Sequence, residues 1–281
     1  HEDLAEQAES NRTAVIPVVP HRGHILDRNG IVLATNYAAN TLEITPSRVS
    51  DLEQTIDALA EVVDIEARDR RRFRRLREDS RGFDSIPIRN RLTEEEVARF
   101  AAQRYRFPGV DVKARLFRNY PLGDVGGHAI GYIGRINQKE KATLQDSEDE
   151  ANYRGTDHIG KLGVEQSYEA QLHGTTGVEQ METSAGGRAV RRLSGFPATS
   201  GGNVVMSLDI GLQKMVEELF GTRRGALVAI NPKNGEVLAF VSMPKFDPNL
   251  FVDGIDHENW QLLNESIDRP LLNRALRGTY P

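Results

Sequence analysis

The chain of 281 residues is 38% hydrophobic and 27% charged, which excludes a disordered or fibrous protein and leaves room for one large domain or two ordinary ones. A net charge of −5 gives no reason to expect nucleic acid as a partner, and the lack of cysteine excludes disulfides and thiolate metal sites. No run of about eighteen apolar residues reads as a membrane span.

The opening HEDLAEQAESNR has neither an initiator Met nor a signal peptide and reads as a start inside a longer gene product, such as a cut just after a membrane anchor would leave. Residues 15 to 45 read as strands. In HILDRNGIVLAT, Asp27 suits the first position of a turn, and Asn29-Gly30 takes the positive-φ conformations that close a hairpin. From 50 to 63 the spacing becomes helical, with Leu52, Ile56, Leu59 and Val63 as one stripe and Ser50 or Asp51 as cap. TEEEVARFAAQRY signals another helix, with Thr93 and Glu96 as a capping box.

Between these helices, RDRRRFRRLR places seven arginines in the ten residues 68 to 77. It reads as an exposed helix whose Ile65, Phe73 and Leu76 pack inward while the arginines stay solvated, rather than as an RNA- or lipid-binding arm. Acidic residues at 61, 64, 66, 69, 78 and 79 largely neutralise it. QKEKATLQDSEDEANYRG reads as a surface helix or mobile loop. Near residue 198 the character changes again. NVVMSL is a strand, Asp209 caps a helix lined by Leu212, Met215, Val216 and Leu219 up to Gly221, and GALVAI and EVLAFVS form a hairpin around Asn-Pro-Lys-Asn-Gly.

Three motifs imitate catalysis. GTDHIGKLG spells the G-x-x-x-x-G-K of a phosphate loop from Gly155 to Lys161, but Leu162 stands where a magnesium-binding hydroxyl is needed and no buried strand precedes it. Ser242-Met243-Pro244-Lys245 fits S-x-x-K, yet the serine ends a strand, and Pro244 and Pro248 oppose a helix from it. Lys233-Asn234-Gly235 imitates K-T-G within a hairpin turn. His21 and His24 lack further ligands at metal spacing, and His128 among glycines reads as a packed histidine, so neither metal nor cofactor is expected.

Taken together, several segments resemble one family. RGHILDRNGIVLATN resembles the first motif of the class B penicillin-binding proteins, YPLGDVGGHAIGYIGRI the second, and HIGKLGVEQSYEAQLHGTTG the third. The likeness continues through GGRAVRRL, LDIGLQ, INPKNGEVLAFVSMPKFDPNLFVDGI and NRALRGTYP, in the family's order. The LHG spelling, GGRAVRRL and DPNLFVDGI resemble the elongation-type subfamily, penicillin-binding protein 2, more than the division type. The resemblance implies an α+β fold: an elongated non-catalytic pedestal at 1–198, with residues 50–107 as the core of an inserted head, then the incomplete beginning of a transpeptidase domain at 199–281. It implies a single-pass protein on the periplasmic face of the inner membrane that cross-links peptidoglycan stem peptides, with β-lactams acylating its serine. In the family a segment like RALRGTYP leads directly into P-G-S-x-x-K, so the nucleophile is expected beyond Pro281 and the chain itself inactive. The implied partners are a RodA-like glycan polymerase and an MreC-like scaffold. A division-type member of the family, a complete enzyme using Ser242 and Lys245, and a non-catalytic envelope adaptor remain as alternatives.

The residues of the motifs favour a structural role. Glu165, Tyr168 and Leu172 fall on one helical face, Gly160 and Gly163 permit tight turning before it, and Arg22, Asp27 and Arg28 are expected to meet Glu165 in a partly buried charge cluster. Gly23, Gly30 and Gly174 complete the motif set. Phe73 and Leu76 are expected to line or support a partner-binding apolar groove rimmed by Arg70 to Arg75.

Overall fold

The structure, a computed structural model, describes residues 13–79, 85–183 and 189–279. The segment HEDLAEQAESNR, positions 186–188 of GGRAVRRL and the final Tyr-Pro lie outside the described residues. The fold is α+β.

β1 (Thr13–Val18) leads to the hairpin of β2 (Ile25–Leu26) and β3 (Val32–Ile44). Its turn closes because the Asp27 carboxylate accepts the N–H groups of Asn29 and Ile31, each at 2.8 Å, while Gly30 supplies φ +83°. α1 (Leu52–Ala60) starts where Asp51 Oδ1 accepts the Gln54 N–H at 3.0 Å. α2 (Ala67–Asp79) carries the arginine run, and β4 (Ile86–Leu92) follows. α3 (Glu94–Gln103) begins with the reciprocal capping box of Thr93 and Glu96, and β5 (Val110–Asn119) returns to pair with β3.

Next come α4 (Gly127–Ile130), β6 (Ile133–Arg135), α5 (Gln138–Gln145), β7 (His158–Gly160), α6 (Gly163–Ser167) and α7 (Glu169–His173). The polar stretch that fitted either helix or loop is helical over α5, because Asn137 and Glu140 make a second capping box. β8 (Gly177–Thr183) and β9 (Ala189–Phe196) form an antiparallel sheet with β1, in the order β1-β8-β9. β10 (Val204–Val205) runs parallel to β2. α8 (Ile210–Phe220) starts at Asp209, which accepts the Leu212 N–H at 3.0 Å. The hairpin of β11 (Gly225–Ile230) and β12 (Val237–Met243) precedes α9 (Asn249–Val252), α10 (His257–Asn264) and α11 (Arg274–Arg277). Of the four residues expected to line one side of α8, Val216 is buried and Leu212 half-buried, but Met215 and Leu219 are exposed. A two-stranded hairpin is too narrow to cover a whole apolar stripe.

The chain divides into two compact units, Tyr37–Phe117 and His1–Asn36 with Arg118–Pro281. The smaller unit is wider than the helical head expected at 50–107, because β4 and most of β3 and β5 belong to it. Its core gathers Leu42, Ile44, Ile56, Leu59, Phe73 and Phe100 among others. Three carboxylates are buried in this unit, Glu43, Asp69 and Glu96, the first paired with Arg115 and with Lys113 at 3.3 Å. Asp69 is held by Arg72 at 2.8 Å and by Arg89 at 3.5 Å, while Glu96 accepts the N–H groups of Thr93 and Asp64. Not all of the arginines are solvated, therefore: Arg72 also reaches the Ile88 carbonyl at 3.1 Å and pins α2 to β4.

In the larger unit Ile25, Leu33, Tyr120, Ile133, Leu172, Val204, Leu208 and Ile210 share one core. The boundary expected at residue 198 falls inside this unit, since β10 pairs with β2 and Val204, Leu208 and Ile210 pack with residues from the first half of the chain.

The two faces of α2 have opposite energetic weight. Phe73 is 1% exposed, so Phe73→Ala is expected to cost about 3–5 kcal/mol. Arg75→Ala, on the exposed side, changes stability by under about 0.5 kcal/mol. Hydrogen exchange over residues 37–117 reads both values.

Candidate functional site

In the larger unit the three sequence motifs converge on one buried carboxylate. Glu165, on α6, is fully buried. Its Oε2 accepts Arg22 Nε at 2.8 Å, and its Oε1 accepts Arg118 Nε at 2.7 Å and the Tyr120 hydroxyl at 3.1 Å. Arg22 also donates to the Glu165 carbonyl at 3.0 Å and spans both oxygens of Glu169, at 3.1 and 2.7 Å. Two guanidinium and two carboxylate groups thus neutralise one another.

Neighbouring groups hold these charges in place. Arg118 donates to the Gly23 carbonyl at 2.7 Å and to Asn36 Oδ1 at 3.2 Å, and Asn36 donates to the Arg22 carbonyl at 2.6 Å. Glu169 accepts the Gly160 N–H at 2.8 Å and the Tyr153 hydroxyl at 3.0 Å. Tyr120 accepts the Ile133 N–H at 3.0 Å while donating to Glu165, which requires a protonated phenol. Burial, and then the Glu165 charge, push its pKa well above the ordinary range. Burial alone would lower the Arg22 pKa, but Glu165 and Glu169 outweigh it and the net shift is upward. Burial alone would raise the Glu169 pKa, but hydrogen bonds and charge from Arg22 hold it below its usual value.

Two glycines make the approach possible. A Cβ on Gly160 would lie 2.1 Å from the Glu165 carbonyl oxygen, and Gly163 takes φ +59° to open α6. Gly23 sends its N–H to the Leu172 carbonyl at 2.7 Å, and the Gly174 carbonyl accepts Asn152 Nδ2 at 3.0 Å.

Two residues expected in the cluster stand elsewhere, and the helical face expected to carry Tyr168 is interrupted. Asp27 is buried but stands elsewhere: besides its own turn it accepts the Ile210 N–H at 3.2 Å, which ties the first motif to the start of α8. Arg28 is exposed and meets Glu236 at 3.4 Å. Tyr168 is 48% exposed, because the helix breaks there (φ −112°, ψ 25°) between α6 and α7. Glu169, one turn on from Glu165, supplies the cluster's second carboxylate. Arg118, Tyr120 and Asn36 were also missed. Of the missed residues only Glu169 carried a local signal, its i, i+4 spacing from Glu165.

The other sequence features resolve locally. Lys161 is neutralised by Glu140, so the apparent phosphate loop has no free cation. Ser242 Oγ accepts the Arg274 N–H at 2.9 Å and donates to the Leu272 carbonyl at 3.2 Å. Lys245 pairs instead with Asp124 at 2.9 Å and Glu217 at 3.3 Å. Burial would lower the Lys245 pKa, but those two carboxylates raise it overall, so it stays a cation with no lone pair to serve as a base. His128 is buried edge-on to Phe246, its rings 4.9 Å apart, and burial lowers its pKa. Phe73 is core and lines no open groove, while Leu76 is partly buried against the same core.

Removing Glu165 leaves Arg118 buried and uncompensated, so Glu165→Ala is expected to cost about 3–5 kcal/mol of unit stability, against about 0.2–1 kcal/mol for a solvated pair. Thermal melting separates the two. Because the folded pKa of Glu169 lies below its usual 4.5, its contribution is full above that pH and fades as pH falls. The melting difference between the native chain and Glu169→Gln should therefore be widest near neutrality and close under acid conditions.

Residues 17–206 match the profile of the penicillin-binding protein dimerisation domain, and residues 225–281 that of the penicillin-binding protein transpeptidase domain. The peptidoglycan D,D-transpeptidase MrdA of Escherichia coli is 44% identical over 279 residues, 99% of this chain and 44% of that protein. MrdA of Acinetobacter baumannii is 41% identical over the whole chain and 41% of its own length. A solved complex between penicillin-binding protein PBP2 and MreC from Helicobacter pylori aligns with a TM-score of 0.71 and 27% identity, covering 93% of this chain and 48% of that one. The chain thus spans less than half the length of the curated relatives it matches. With its three motifs joined at one buried carboxylate and the dimerisation-domain profile matched across most of its length, the chain belongs to the class B penicillin-binding proteins, in the elongation-type branch of PBP2 and MrdA.

Proposed function

We propose that this chain is the pedestal, with the first part of the transpeptidase domain, of a peptidoglycan D,D-transpeptidase that cross-links stem peptides during cell elongation. The observation that carries this reading is the Glu165 joint, which fixes the three family motifs to one another, followed by a segment matching the transpeptidase profile. Functionally, residues 1–198 act as the pedestal and 199–281 begin the enzyme domain. Asp27 clasps the two through Ile210, and Asn249 does so again through both backbone groups of Tyr120, at 3.0 and 2.9 Å.

In the whole protein a serine beyond this chain attacks the D-Ala-D-Ala bond, and an amine of another strand resolves the acyl-enzyme. β-Lactams acylate the same serine. Ser242 and Lys245 are each committed to other partners, which supports a nucleophile outside this chain. No helix among the described residues is long and apolar enough to cross a membrane. Placement on the periplasmic face of the inner membrane accordingly rests on likeness to the relatives. The solved PBP2–MreC complex supports an MreC-like scaffold as partner, and the family resemblance adds a RodA-like polymerase.

A fluorescent penicillin tests this reading on two samples, this chain and the product of its gene read through the remainder of the transpeptidase domain. Label is expected on the longer product alone, and Glu165→Ala in that product should leave labelling largely intact while lowering the melting temperature. Covalent label at Ser242 would make this chain a complete enzyme. A longer product that takes no label would reduce the protein to an adaptor.

A further inference from the structure

The arginine helix is overdetermined for its role in the fold. Arg72 and Phe73 fix α2 from its inner side. On the exposed side, Arg68, Arg71 and Arg75 run at i, i+3 and i+7, with Arg74 beside them. Arg71 and Arg75 make no hydrogen bond or ion pair among the described residues. Arg68 pairs only with Glu66 of its own turn at 2.9 Å, and Arg74 reaches Glu53 only at 4.0 Å. Nothing in helix propensity asks for arginine at these positions, since Lys, Gln and Glu serve an exposed helical site nearly as well. Like charges three and four residues apart oppose the helix, and a glutamate at position 71 would instead pair with Arg75. The stripe therefore works against the stability of the element that carries it.

We propose that this stripe is a docking surface for an acidic helix of a protein partner, one bearing Asp or Glu at i, i+3 or i+4, and i+7. The spacing favours that occupant. Successive arginines are displaced along the axis by about 4.5 and 6 Å, the rises of three and four helical residues, so a second helix laid alongside repeats the same intervals. The planar guanidinium fork donates two parallel hydrogen bonds to one carboxylate, which gives register as well as attraction. A flat anionic membrane fits less well, because the exposed carboxylates of Glu53 and Asp57 on α1 flank the stripe and would face it. The burial of Phe73 points the same way: the inner face that might have offered an apolar groove is already filled by the unit's own core. This inference concerns the Tyr37–Phe117 unit alone and does not depend on the enzymatic reading.

Fluorescence anisotropy on the intact chain tests it. The probe is an alanine-rich helix of about fifteen residues with glutamates at i, i+3 and i+7, compared with a helix of identical composition whose glutamates are spread around the axis. The striped peptide should bind about tenfold more tightly than the dispersed one, as a few aligned exposed ion pairs allow, with an affinity that falls with salt. Arg71→Gln with Arg75→Gln should remove that preference while the melting temperature holds or rises. Arg71→Glu with Arg75→Glu should reject the acidic probe and accept its lysine counterpart. Equal binding of the dispersed peptide, or of disordered polyglutamate or phosphatidylglycerol vesicles, overturns the helix assignment in favour of a general polyanion. Unchanged binding by the glutamine variant, or no recovery with the lysine peptide, overturns the stripe itself.

Discussion

A carboxylate with no access to water must have its lone pairs answered from within the protein, and the larger unit is organised around meeting that demand for Glu165. Its partners come from parts of the chain far apart in sequence: Arg22 before the first hairpin, Arg118 and Tyr120 at the end of β5 and just after it. The intervening turns are then constrained. Gly160 must lack a side chain because the Glu165 carbonyl occupies that space, and Ile133 must present its N–H to the Tyr120 hydroxyl. The cluster is not fully satisfied, for Arg118 Nη2 has no partner among the described residues. Replacing such a network by apolar residues can be neutral or even stabilising, so its value lies in fixing one way of joining three segments rather than in adding stability.

The same principle operates at smaller scale where the chain continues beyond residue 198. Asp27 closes its own turn and caps the backbone of Ile210 with the remaining oxygen, so one side chain serves two segments. Glu217 accepts the Gly126 N–H at 2.9 Å and the Gln213 amide at 2.8 Å while facing Lys245, which ties α8 to the glycine-rich second motif. Polar clasps of this kind define register, and the apolar core of Ile25, Leu172, Val204 and Ile210 supplies the burial. The Tyr37–Phe117 unit balances matters differently. Its core carries three phenylalanines, Phe73, Phe100 and Phe107, its buried acids Asp69 and Glu96 are answered by nearby backbone and by Arg72 and Arg89, its buried Glu43 by Arg115 and Lys113, and surplus positive charge is displayed on the outside of α2.

Much of this was legible in the sequence because it is governed by local chemistry. Asp51, Thr93 with Glu96, and Asp209 cap their helices as their spacing indicates, and Asp27 and Gly30 close the hairpin, with Gly30 but not Asn29 at positive φ. The strand end and the two prolines around Ser242 and Lys245 likewise argue locally against a catalytic pair. The inward face of Phe73 followed from helical periodicity alone. What periodicity does not carry is the identity of partners a hundred residues apart. Nothing near Arg118 or Tyr120 announces that they meet Glu165, and the break at Tyr168 follows from how α6 and α7 pack rather than from a Gly or Pro signal.

The sequence by itself determined the capped helices α1, α3 and α8, the β11–β12 hairpin, the family and the residue at the centre of the joint. Caps, turns and periodic faces are interactions over one to four residues, so their rules are written in the local string. Tertiary structure alone decided which charges meet. It sent Asp27 to α8 and Arg28 to the surface, brought Glu169 and Arg118 to the buried carboxylate, and filled the space behind Phe73. An ion pair depends on distance and desolvation together, and both are set only when separate segments pack.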